Sequence, residues 1–140
     1  MKKGIFIIIL WFITGCSNQE IKCTRVDNSS NDLEIKEELI IKYKKEIVSF
    51  DFESNIKAGV IYKKYMKELE SNMIVKYITN MEANGIEKHS IIKGQKINIK
   101  IKGKAEKMDD NSKNTFNIFR INSSIKEIKK ELKINNYSCE

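Results

Sequence analysis

From residue 33 to residue 43 apolar and charged side chains alternate, and a chain with that pattern has few choices other than a strand with one dry face. Leu33, Ile35, Leu39, Ile41 and Tyr43 fall on one side, and Glu34, Lys36, Glu38 and Lys42 on the other. A period of two is the spacing of a pleated strand, so the run predicts a half-buried antiparallel strand. Glu37 is the exception, a carboxylate on the apolar side. Tyr43-Lys44-Lys45-Glu46 follows as a hairpin turn. The next strand, 47–53, places Val48, Phe50 and Phe52 inward and Ser49, Asp51 and Glu53 outward. Upstream, residues 21–27 read as a strand and 28–32 as a turn cluster of Asn, Ser and Asp.

The period then changes. Ile61, Tyr65, Leu69, Met73, Tyr77 and Met81 recur every four residues, and Tyr62, Met66, Ile74 and Ile78 widen the stripe. This spacing predicts one long amphipathic helix over 57–83, with Ser71-Asn72 as the place where it could break, closed by Asn84-Gly85 as a left-handed cap. A second hairpin joins 86–92 to 96–104 through Lys93-Gly94-Gln95, with Ile97, Ile99 and Ile101 on one face. Residues 105–117 are polar and read as a loop. Phe116, Ile118, Phe119 and Ile121 return to the core, and Ser124-x-x-Glu127 has the form of a capping box for a short helix over 125–134 with Ile125, Ile128 and Leu132 inward. Asn135-Asn136 ends it, and Tyr137-Ser138-Cys139 returns extended towards the first strand. The order is β-β-β-α-β-β-α-β. It predicts an α+β domain over 21–140, an antiparallel sheet with one long and one short helix on one face.

Ahead of this domain stand Met1-Lys2-Lys3 and an apolar run over 4–13. Ten helical residues span about 15 Å, half of a hydrocarbon core about 30 Å thick. The segment is too short to cross comfortably and fits a secretory signal. It ends in Ile13-Thr14-Gly15-Cys16, which resembles the bacterial lipobox. That resemblance implies a cleavable lipoprotein signal peptide over 1–15, cut between Gly15 and Cys16, with the Cys16 thiol carrying diacylglycerol and further acyl chains such as palmitate. A thiolate is the nucleophile that accepts such a lipid, and two or three chains hold where one would not. Residues 16–20 are then a short tether, and the expected location is the extracytoplasmic face of the cell membrane. A buried N-terminal strand or helix, or cleavage elsewhere, are the alternatives.

Cys23 and Cys139 remain, an even number in an exported chain. A bridge between them would close more than a hundred residues and stabilise by about 4–5 kcal/mol in the chain-entropy model. Two free thiols or a redox-active pair are the other readings.

The Cys-Thr of "IKCTRVD", the two alternating strands after it and the closing "SSIKEIKKELKINNYSCE" together resemble the YehR-like lipoproteins, a group of small bacterial lipoproteins without an assigned activity. The resemblance implies a lipid anchor, an α+β domain and a terminal Cys pair. It brings no catalytic residues with it.

Chemistry-bearing patterns are sparse. The chain carries a net charge of +7, and without Lys2 and Lys3 it has 24 cations against 19 acids, or +5. Acids are interspersed throughout, which is not the concentrated stripe of a nucleic-acid binder. His89 is the only histidine and reads as a surface strand residue. Asp109-Asp110-Asn111-Ser112 offers oxygen ligands for Ca²⁺ but lacks the rest of an EF-hand loop, so it reads as a solvated loop and no metal is expected. Asp51 and Glu53, two apart on an outward face, read as solvated charges. No cofactor motif stands out.

Lys96, Lys100, Lys102 and Lys104 form the most distinctive surface feature. Same-face strand positions recur about 6.7 Å apart, so the four make a basic ridge. It can contact anionic lipid, a wall polymer or an envelope protein, or it can simply guard an edge strand against aggregation. The expected protein is therefore a non-enzymatic, membrane-anchored binding or accessory module. The alternatives are a small-ligand binder with a pocket lined by Tyr62, Tyr65, Met66, Met73 and Tyr77, and a hydrolase using His89.

Overall fold

The computed structural model describes residues 17–140. The expected signal segment 1–15, the expected cleavage point between Gly15 and Cys16, and Cys16 as the expected lipidation site lie outside them. Elements follow in the order β1 (Gln19–Ser30), β2 (Leu33–Tyr43), β3 (Ile47–Ala58), α1 (Met66–Tyr77), β4 (Ile86–Lys93), β5 (Lys96–Lys104), α2 (Ile125–Ile134) and β6 (Ser138–Cys139). The strands form one six-stranded antiparallel sheet, ordered β4-β5-β3-β2-β1-β6. Both helices pack on one face of it, and the fold is α+β.

β2 keeps its alternation along its whole length, with Ile35, Glu37, Leu39 and Ile41 buried. β3 departs from expectation twice. At its start the register shifts between Lys42 and Tyr43, so that Tyr43 pairs with Ile47 and Lys42 with Ser49. Val48 is the extra residue of this bulge. Ile47 is therefore buried and Val48 is exposed, the reverse of the predicted phase. At its other end the strand continues past Glu53, because Ser54, Ile56 and Ala58 prolong the alternation of the buried face.

The longer strand shortens the helix. Instead of one helix over 57–83, a single 3-10 turn at Val60–Tyr62 precedes a 12-residue helix. Its buried face is Met66, Leu69, Met73, Ile74 and Tyr77. Ile61, Tyr65 and Met81 matched the four-residue spacing, yet all three are exposed. Gly85 has φ +75° but begins the approach to β4 and caps no helix.

α2 forms at the predicted residues. Ser124 accepts from the Glu127 N–H, the Glu127 carboxylate accepts from the Ser124 N–H, and Ile128 and Leu132 are buried. Asn136 takes φ +64° just beyond it, turning the chain so that β6 can lie against β1. Residues 105–117 carry two 3-10 turns, Ala105–Lys107 and Ser112–Asn114.

Phe50, Phe52, Tyr77, Phe116 and Phe119 form the centre of the core. Phe50 stacks on Phe116 with centroids 4.4 Å apart, and Phe52 meets Tyr77 edge-on at 4.7 Å. Gly103 makes room for the Phe50 ring, since a Cβ there would stand 2.1 Å from a ring carbon.

Candidate functional site

Two polar assemblies stand out, one inside the fold and one on the uncovered sheet face. The inner one gathers around Glu37, which β2 directs into the core and which is only 3% exposed. Arg25 on β1 reaches it across the strand pair: Nη2 donates to Oε1 at 2.8 Å, and Nε approaches Oε2 at 2.7 Å without the alignment of a hydrogen bond. The Tyr77 hydroxyl donates to Oε1 at 2.7 Å and also lies 2.9 Å from Ser54 Oγ. The Tyr137 hydroxyl donates to Oε2, and the Arg25 guanidinium lies 5.2 Å from the Tyr137 ring centroid. Glu37 thus ties three strands to the end of α1 and to the segment after α2. A buried charge is tolerable when it is paired and its lone pairs are satisfied.

Burial acts first on the Arg25 guanidinium, pushing it down, but the hydrogen bond and charge of Glu37 outweigh this and leave it above its ordinary value. Burial, aided by the Glu37 charge, pushes both phenols above the ordinary tyrosine range. The folded chain therefore keeps Tyr77 and Tyr137 neutral where the unfolded chain ionises them, near pH 10. Their contribution to stability is complete below about pH 10 and falls as pH rises, by up to about 2.7 kcal/mol per pH unit for two groups. Urea unfolding between pH 8 and pH 11 checks this. The wild type is expected to lose stability more steeply above pH 10 than a Tyr77→Phe/Tyr137→Phe variant.

The outer face carries the charges. Its cross-strand rows follow from the register. Farthest from Gln19, the first row reads Glu34, Lys57, Lys96, Lys93. The second is Lys36, Asn55, Asn98, Ile91, and the third Glu38, Glu53, Lys100, His89. The fourth is Ile40, Asp51, Lys102, Glu87, and the last Lys42, Ser49, Lys104.

This grid changes the meaning of the lysine ridge. β5 is not an edge strand; it lies between β3 and β4, so edge protection does not explain its lysines. Glu53 lies 3.6 Å from Lys100 and Asp51 3.4 Å from Lys102, so the middle of the ridge is compensated. The longest run of like charge is in the first row, where Lys57, Lys96 and Lys93 stand directly opposite one another on three adjacent strands beside Glu34; the last row, with Lys42 and Lys104 separated by Ser49, carries the same net charge of +2. None of Lys57, Lys96 and Lys93 has an ion pair among the described residues. Like charges directly opposite destabilise a sheet.

These lysines border a groove of about 660 Å³, also lined by Lys36, Glu53, Asn55, Ile91, Asn98 and Lys100. Its floor is fixed: Asn98 Nδ2 donates to Glu53 Oε1 at 2.6 Å and to Asn55 Oδ1 at 2.8 Å. At the rim, Lys36 pairs with Glu34 at 2.7 Å. That hydrogen bond and charge hold the Glu34 carboxyl below its ordinary value, with a smaller pull from Lys57. Ammonium groups around a polar floor can hold an oxyanion.

Lys57 and Lys93 were not visible as site residues in the sequence. The first fell within the predicted helix and the second within the predicted turn. Lysines at the ends of two alternating runs were the available signal, but their neighbours depend on strand order.

The remaining candidates do not come together. His89 is exposed, cross-strand from Lys100, with no side-chain hydrogen bond among the described residues. Asp109 closes its own turn, accepting from the Ser112 N–H at 2.7 Å and from Asn84 Nδ2 at 3.0 Å. No group of three His, Cys, Asp or Glu is placed to hold a metal among the described residues. The five residues expected to line a pocket under the helix do not meet in one cavity: Met66, Met73 and Tyr77 are buried in the core, while Tyr62 and Tyr65 border a surface depression of about 360 Å³. Cys23 and Cys139 are cross-strand partners on β1 and β6, joined by a disulfide.

Fold and face together describe a small α+β domain with a helix-covered side and an open basic side. Comparisons with protein-family models, curated proteins and solved structures find no match.

Proposed function

We propose that the chain is a non-enzymatic envelope module, tethered through lipidated Cys16 at the extracytoplasmic face of the membrane, that binds phosphate-bearing anions in the groove around Lys57, Lys93 and Lys96. The likeness to YehR-like lipoproteins and the lipobox support the tether. The observation that carries the binding reading is the row of three opposed lysines without ion pairs, over a floor of Asn98 bonded to Asn55 and Glu53. Such a row costs fold stability, and functional sites are where local rules of this kind are broken. Two sources share the chemistry, lipid headgroups and phosphate-rich polymers. The groove lies at the far end of the sheet from Gln19. Between Lys104 and Lys96 β5 runs about 27 Å.

Binding of the intact chain to long-chain polyphosphate, and to phosphatidylglycerol against phosphatidylcholine vesicles, tests this. Each lysine near a charged surface contributes roughly 1 kcal/mol. Lys57→Gln/Lys93→Gln/Lys96→Gln is therefore expected to weaken binding on the order of 100-fold. Lys100→Gln/Lys102→Gln removes lysines already paired with Glu53 and Asp51 and should have a smaller effect. Equal losses in the two variants would return the site to the whole ridge, and no loss in either would end the reading. Preference for polymer or for vesicles identifies the source.

A further inference from the structure

A second surface lies just beyond the end of β3. Val60, Ile61 and Tyr65 are 78, 62 and 58% exposed. They stand on and beside a 3-10 turn whose backbone is tied down. Gly59 N–H donates to Asp32 O at 2.7 Å, Tyr62 and Lys63 N–H donate to Gly59 O and Val60 O, and Tyr65 N–H donates to Tyr62 O at 2.8 Å. Glycine at 59 eases that approach, since a Cβ there would stand 3.2 Å from Asp32 Cα and 2.8 Å from its movable Oδ1. Lys63 and Lys64 separate Tyr62 from Tyr65, and Lys57 and Lys67 flank the segment in sequence, all four exposed and none in an ion pair among the described residues. Acids stand among them: Asp32 lies against Gly59, Glu34 is cross-strand from Lys57, and Glu68 borders the neighbouring depression.

We infer that this turn is a membrane-contact tip for an anionic bilayer. Side chains so exposed project from the surface and do not line a deep cleft, a shape suited to a fluid interface. An aromatic ring and branched aliphatics among lysines match the preference of a headgroup region: the apolar atoms enter the acyl boundary, the tyrosine remains at headgroup level and the ammonium groups meet lipid phosphates. The tip and the tethered end are at opposite ends of β3, about 37 Å apart. Contact of both with one bilayer lays the sheet's long axis along the membrane. Membrane contact at the tip does not require an occupied groove.

Hydrogen exchange on the intact chain, reconstituted in vesicles, decides it. Amides of residues 60–65 are expected to exchange more slowly on phosphatidylglycerol vesicles than on phosphatidylcholine. The slowing should vanish in Ile61→Asp/Lys63→Gln and persist in Lys93→Gln/Lys96→Gln, so its failure and that of the groove are distinguishable. Unchanged exchange over β2 and β3 verifies the fold of each variant. Equal exchange at 60–65 on both lipids would overturn the proposal, as would slowing that survives Ile61→Asp/Lys63→Gln in a folded chain. Slowing that appears only when an acidic peptide replaces the vesicles would assign the tip to a protein partner instead.

Discussion

Glu37→Ala is expected to destabilise the domain by about 3–5 kcal/mol, the usual cost of removing one partner from a buried ion pair. The loss strands Arg25 beside the core and leaves the Tyr77 and Tyr137 hydroxyls without their carboxylate acceptor. Small domains have only about 5–15 kcal/mol in total, so this one side chain decides whether the chain stays folded at elevated temperature. Urea unfolding of the oxidised protein measures it. The cost should come from the stranded partner more than from the lost attraction. Glu37→Leu/Arg25→Leu, which removes both charges, is therefore expected to be more stable than Glu37→Ala. A double variant no better than the single one would show that Arg25 is not what Glu37 neutralises.

Removing the Cys23–Cys139 bridge, by reduction or as Cys23→Ser/Cys139→Ser, is expected to cost about 4–5 kcal/mol. The bridge spans 116 residues of sequence, and the chain-entropy model scales with the logarithm of the closed loop. Unfolding with and without reductant gives the value. Here the two largest effects are coupled. Cys139 holds β6 on β1, and Tyr137, two residues earlier, donates to Glu37. Loosening either end of this segment frees the other. The combined loss of bridge and carboxylate should therefore be smaller than the sum of the separate losses.

Local period carried much of the fold into view. β2, the β4–β5 hairpin and α2 were legible because alternation, turn residues and a capping box act within a few residues of one another. β3 and α1 were confused where the two periods overlap. Ser54, Ile56 and Ala58 continue a strand, whereas Ile61 and Tyr65 carry the spacing of Leu69 and the true helix stripe backwards without joining its buried face. The sheet uses the first set, and Ile61 and Tyr65 stay exposed. Val48 was misplaced because a bulge depends on pairing, which a single strand does not display.

The site was less legible for the same reason. Glu37 announced itself by breaking an apolar face, but its partners come from residues 25, 77 and 137, with Ser54 bonded to Tyr77, and they meet only in three dimensions. The lysines of β5 were plain in the sequence. Their acidic neighbours on β3 and their basic ones at Lys57 and Lys93 follow from β5 lying between β3 and β4, a fact of strand order. Strand order turned a uniform ridge into a compensated middle with cationic ends, of which only the end at Lys57, Lys96 and Lys93 sets lysines side by side on adjacent strands.

Amide chemical-shift mapping of the intact chain during titration with polyphosphate tests the claim that this cationic end is the binding site. Shifts should concentrate at residues 55–57, 91–93 and 96–98, remain small at Lys102 and Lys104, and disappear in Lys57→Gln/Lys93→Gln/Lys96→Gln. Shifts spread evenly along β5, or centred on the helix face, would contradict it.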